Sequence, residues 1–171
     1  MIKFCKNQKS YRKIVNLAEI RLQKDLAEID MPNAEIEFDS DQNLKNFRVK
    51  IRIVDEKSLW FGGTFVFEFC VSERFPFEPP RVRLLTKVLH PCIDYDGRIN
   101  LGILVSGWNP IFTIFTCIFQ LNAIFIWPIP EDCMNQFAGN LMRNNYSAFI
   151  QAVHNSLLGQ TVDRQEFKKL L

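Results

Sequence analysis

The stretch "FRVKIRIVDEKSLWFGGTFVFEFCV", residues 47–71, decides the fold class. Phe47, Val49, Ile51 and Ile53 alternate with Arg48, Lys50 and Arg52, and a strict period of two marks a strand with one face buried. A second apolar file, Phe65, Phe67, Phe69 and Val71, follows Gly62 and Gly63, which punctuate the chain between the two files. Upstream, "AEIEFD" (34–39) carries Ile36 and Phe38 in the same rhythm. Downstream, "FPFEPPRVRLLT" (75–86) places a rigid turn at Pro76, Pro79 and Pro80 before a short strand over about residues 81–86. Four short strands with turn signals between them predict an antiparallel meander.

Helices flank this sheet. Ile14, Ala18, Leu22, Leu26 and Ile29 recur at steps of three and four, which predicts an amphipathic helix over residues 10–29, ended before Pro32. Arg12, Lys13, Glu19, Lys24, Asp25 and Glu28 fall on its other face, expected to be solvated. The uncharged run "IFTIFTCIFQLNAIFIW" (111–127) is 17 residues long, short of the roughly 20 that span a bilayer. Pro110 and Pro128 bracket it and Gln120 and Asn122 interrupt it, so a helix buried in a protein core is expected. Three helical stretches follow from the pattern, over residues 113–126, 134–143 and 145–158, separated by "WPIPEDC" (127–133) and a break near Asn144. Helix, meander, then helices define an α+β domain.

Composition narrows the function classes. The 171 residues carry 21 basic and 19 acidic side chains, a net charge of +2, which gives no reason to expect a nucleic-acid or membrane partner. Cys5, Cys70, Cys92, Cys117 and Cys133 are widely spaced, odd in number and without neighbouring histidines, so free thiols rather than a metal site or a disulfide framework are expected. The start, "MIKFCKNQKSYRK", lacks the features of a secretory signal, and a cytoplasmic or nuclear setting is the expectation. The chain divides into a tail at residues 1–9 and a single domain at 10–171. On that tail Ile2 and Phe4 read either as a docking peptide or as a contact with the chain's own domain.

Four segments in order, "FPFEPP" (75–80), "HPCIDYDGRINLGIL" (90–104), "WNP" (108–110) and "PIPEDCMN" (128–135), resemble those of the ubiquitin-conjugating enzymes, over residues 10–160. Within that family "RLQKDLAEIDMP" (21–32), "FGGTFVFEF" (61–69), "TKVLHP" (86–91), Ile93–Asp94 and the initial "MIKF" are most similar to the conjugating enzyme of the neddylation pathway. The resemblance implies the family's fold: an N-terminal helix, a four-stranded antiparallel meander, then C-terminal helices. It implies partners as well, namely an activating enzyme, a RING-type ligase and a ubiquitin-like modifier, with no cofactor. Ile2 and Phe4 would dock on the activating enzyme, and Phe77, Pro110 and Ile111 would face the ligase.

The family pattern has His-Pro-Asn and, eight residues after the Asn, a Cys followed by Leu. Here the two types are exchanged, with Cys92 at the Asn position and Asn100 at the Cys position. An amide has no nucleophilic form near neutral pH, whereas a free cysteine near its reference pKa of ~8.5 keeps a few per cent thiolate. The amide lost at 92 matters separately, because removing such a donor costs on the order of 10²–10³ in rate at other acyl-transfer sites.

Two readings follow: a binding module without thioester chemistry, or a transferase whose nucleophile has moved to Cys92. The second must overcome a displacement of the attacking atom, and about an ångström of misplacement can cost about 10²-fold. A third, a decayed duplicate, sits poorly with the intact core periodicity. Asp132 stands at the position of the family's lysine-orienting acid, with a helix-capping role as its alternative. His90 reads as a structural hydrogen-bonding residue and Trp108 as core packing.

Overall fold

Phe47 faces Phe69 across a strand pair, Val49 faces Phe67 and Ile51 faces Phe65, and all six side chains are buried. The computed structural model describes residues 16–38, 43–129 and 133–171. The sheet runs β1 (Ala34–Phe38), β2 (Asn46–Arg52), β3 (Thr64–Cys70) and β4 (Arg81–Leu84), in that spatial order and antiparallel throughout. Arg48 opposite Glu68 lies on the other, wetter face. β4 is two residues shorter than expected: Leu85 N–H still bonds Val66 O, but Val66 N–H turns to the hydroxyl oxygen of Thr86 at 3.0 Å instead of returning the ladder bond.

The helices are α1 (Leu17–Ala27), α2 (Ile114–Ile126), α3 (Gln136–Asn144) and α4 (Tyr146–Leu157), with a 3-10 turn at Gly102–Leu104. Side-chain caps fix their starts. Asn16 Oδ1 accepts from Ala18 N–H, Thr113 and Thr116 form a reciprocal capping box, and Asn145 ends α3 and caps α4. The α3 cap is Asn135, whose Oδ1 accepts from Ala138 N–H, so that helix begins two residues later than its apolar pattern predicts. α1 is described only from its cap at Asn16 onward; the expected contribution of Ile14 lies outside the described residues. α2 buries Ile114, Cys117, Ile118, Leu121, Ile124 and Phe125 against the sheet and its neighbours. Among the described residues no helix is long and apolar enough to cross a membrane.

The aromatic centre of the core joins the layers. Phe125 of α2 stacks on Phe65 with ring centroids 4.4 Å apart and meets Trp60 edge-on at 5.6 Å. Trp60 is fully buried, and its indole N–H is satisfied by Leu89 O at 3.1 Å.

Two features depart from the sequence pattern. Asp25 is not solvated: it is only 2% exposed, held by Arg21 at 2.7 Å and by the N–H of Ile114 at 3.1 Å. A buried carboxylate needs such partners, and α2's first turn supplies an otherwise orphaned donor. After α4 the chain turns at Asp163 and Arg164, both at positive φ, and returns so that Phe167 is buried and Leu170 N–H bonds Leu157 O.

Because Phe125 is fully buried and touches both the sheet and Trp60, Phe125→Ala is expected to destabilise the fold by about 3–5 kcal/mol. Urea unfolding of the two proteins checks this.

Candidate functional site

Residues 90–104 form a loop against the end of α2 and the edge of the sheet. His90 is completely buried between Trp60 and Phe125, at ring-centroid distances of 4.6 and 5.0 Å. Its Nε2 faces Ile124 O at 3.0 Å and its Nδ1 faces Cys92 N–H at 3.0 Å. A carbonyl can only accept and an amide N–H can only donate, so both bonds are satisfied when the ring is neutral with its proton on Nε2. Burial agrees with this, pushing the ring's pKa down from 6.5 to about 4. His90 therefore holds shape, as expected of it.

Beyond His90 the chain makes a small hairpin. Asp94 binds its tip: Oδ1 accepts from the N–H groups of Asp96 and Arg98, and Oδ2 pairs with Arg98 Nε at 2.6 Å. Gly97 at φ +81° closes the turn, and a Cβ there would lie 2.0 Å from Leu84 O, so this position admits only glycine. Ile93 bridges Ile99, and Asn100 N–H donates to Cys92 O at 2.9 Å. The two positions singled out by the sequence thus face each other across the arms of one hairpin.

Their environments differ. Cys92 is 2% exposed, and its Sγ lies 3.5 Å from Ile129 O, placed to donate. Asn100 is partly exposed. The segment before α3 lies over Pro91, whose carbonyl accepts from both Met134 N–H and Asn135 N–H at 3.0 Å. Asp132 lies outside the described residues, as do Ile2 and Phe4. The side-chain cap that is seen on α3 comes from Asn135.

Cys133 sits against Gly139, where a Cβ would lie 2.2 Å from its sulfur, and 3.6 Å from Arg143 Nη1. Cys117 is buried in α2, where desolvation first, and then the charge of Asp25, raises its thiol to about 12. Cys70 and Cys117 are free thiols. Among the described residues no group of three or more His, Cys, Asp or Glu side chains is placed to hold a metal ion.

A second surface lies where two loops meet. Phe77 and Ile111 are each 76% exposed, and Pro110 is exposed beside them. Trp108, read from the sequence as core packing, is only partly buried and acts as a pin: its Nε1–H donates to Pro76 O at 2.7 Å, and its ring lies between Phe75 and Phe112. The Trp108–Pro76 bond joins the loop that carries Phe77 to the loop that carries Pro110 and Ile111. Sequence reasoning missed Arg21, which reaches this region from α1. The signal was present in "RLQKD", where Arg21 and Asp25 stand four apart on one helix face.

A sequence model of the family described as "Ubiquitin-conjugating enzyme" matches residues 21–157. The chain is 35% identical over 160 residues to the "Nedd8-conjugating enzyme UbcE2M" of Drosophila melanogaster, covering 93% of this chain and 87% of that protein. It is likewise 35% identical over 171 residues to the "NEDD8-conjugating enzyme Ubc12" of Dictyostelium discoideum, covering 99% of this chain and 74% of the relative. Among solved structures it matches "S. cerevisiae Ubc12" with a TM-score of 0.84 and 27% identity, over 91% of this chain and 84% of that one.

The buried imidazole predicts a pH signature. Folding lowers its pKa from 6.5 to about 4, so in that window the unfolded chain binds a proton that the folded chain refuses. Its contribution is present above pH 6.5 and is lost as pH falls toward 4, by at most about 1.4 kcal/mol per unit. Urea midpoints at pH 7, 5.5 and 4.5 are expected to fall less steeply for His90→Gln than for the unaltered protein.

Proposed function

The chain belongs to the ubiquitin-conjugating enzyme family, as a homologue of its neddylation-type members, and from that membership we propose that it is a catalytically silent conjugating-enzyme domain acting as a binding module. It would occupy surfaces of the activating enzyme, a RING-type ligase or the ubiquitin-like modifier, as a scaffold or a competitor, in the cytoplasm or nucleus. One observation carries this reading: Asn100 stands where the family's pattern has its thioester cysteine, and an amide cannot attack the activating enzyme's thioester.

The hairpin supports it. The thiol of Cys92 is buried, with its sulfur against Ile129 O, whereas a relocated nucleophile must meet a partner's thioester at the surface. Asn100, the more exposed of the pair, has no such chemistry. Phe77, Pro110 and Ile111 supply a ligase-facing surface that needs no thiol. The tail at residues 1–9 would supply the activating-enzyme contact through Ile2 and Phe4, with residues 10–171 as the domain that carries it. Asp132, at the position that orients an incoming lysine in the family, would have no thioester to serve.

The test is charging with activating enzyme, ATP and the neddylation modifier, read on gels with and without reductant. No reducible adduct is expected from the unaltered protein, and one is expected from the double exchange Cys92→Asn with Asn100→Cys. An adduct on the unaltered protein that disappears in Cys92→Ser overturns this reading and establishes a transferase with a moved nucleophile.

A further inference from the structure

Arg21 leaves α1 half-buried, and every face of its guanidinium is used. Nε pairs with Asp25 Oδ1 at 2.7 Å, Nη1 donates to Pro110 O at 2.9 Å and Nη2 donates to Phe112 O at 2.8 Å. The plane lies over the ring of Phe75, 5.7 Å from its centroid. Pro110 and Phe112 flank Ile111, and Phe75 begins the turn that presents Phe77. One side chain thus touches the supports of both exposed apolar residues.

The supports are themselves tied in. Asn109 accepts from Ile111 N–H through Oδ1 and from Phe112 N–H through its carbonyl. Asp25 holds Arg21 with one oxygen and the N–H of Ile114 with the other, so α1, the 109–113 loop and the start of α2 meet at one ion pair. Trp108 closes the circuit to Pro76.

We propose that Arg21 is the positioning residue of the ligase-facing surface, clamping the carbonyls on either side of Ile111 while its face fixes Phe75, so that Ile111 and Phe77 are presented in one fixed relation. This rests on the reading of Phe77, Pro110 and Ile111 as a ligase surface. Preorganisation of this kind raises affinity by sparing the partner the ordering of a loop. Only a planar fork with several donors can hold two carbonyls and a carboxylate at once, so lysine keeps the charge opposite buried Asp25 but cannot replace the clamp.

The experiment compares Arg21→Lys, Arg21→Gln and Phe77→Ala by titration with the RING domain of a neddylation-type ligase and by amide hydrogen exchange. Arg21→Lys, which keeps Asp25 paired, is expected to stay folded, to bind the RING domain about tenfold more weakly and to exchange faster at Ile111 and Phe112. Arg21→Gln is expected to do the same more strongly. Unchanged exchange at those two amides in Arg21→Lys overturns the clamp. So does faster exchange with full affinity in Arg21→Lys when Phe77→Ala weakens binding. If the unaltered protein does not bind the RING domain, or Phe77→Ala leaves binding intact, the ligase reading falls, and the exchange rates alone decide whether Arg21 holds the loop.

Discussion

The imidazole of His90 is the constraint on which the site depends. It is a polar ring with no access to water, and both nitrogens are satisfied by main-chain groups of different segments, Ile124 at the end of α2 and Cys92 in the loop. An unsatisfied nitrogen there would carry its full desolvation cost, so helix and loop are held in one register. That register places Pro91 O where it receives two N–H groups from the entry to α3, and places Cys92 O opposite Asn100 N–H. The ring's stacking on Trp60 and Phe125 makes the site an extension of the aromatic core rather than an appendage to it.

The site and the surface around Phe77 and Ile111 are built on different physical terms. Around residues 90–104 the main chain is closed by hydrogen bonds, with Asp94 gathering two N–H groups and Gly97 pressed against Leu84 O. Around Phe77 and Ile111 the hold comes from long side chains, Trp108 and Arg21, that reach across to carbonyls of other loops. Exposed apolar side chains cannot bury themselves to gain a fixed place. Their position is supplied from beneath.

Much of the fold was legible in the sequence because its signals are periodic. Phe47 to Ile53 and Phe65 to Val71 repeat every second residue, which shows the buried face of each strand; the register that sets Phe47 opposite Phe69 is fixed by the longer loop closed between Ile53 and Gly63. Helix ends were less legible, since they are set by single side chains such as Asn135 and Thr113. Asp25 was misplaced on the solvated face because a helical pattern records which side a residue occupies and not what reaches it, here Arg21 and α2's first turn. The returning segment after α4, with Phe167 in the core, has too few residues to show a period. In the site, the exchange of Cys92 and Asn100 could be read directly. The depth of Cys92 could not, because it depends on a distant segment, in which Ile129 meets Cys92 and Met134 and Asn135 meet Pro91.

The bonds that close the hairpin at residues 92 and 100 are made by main-chain atoms, Cys92 N–H to His90 and Asn100 N–H to Cys92 O. Main-chain atoms are the same whatever residue is encoded. The backbone bonds that close the loop are therefore indifferent to whether a thiol or an amide is carried at either position, although the depth of Cys92 limits what fits there. The chemistry that such a loop presents can change one side chain at a time while the loop itself keeps its course.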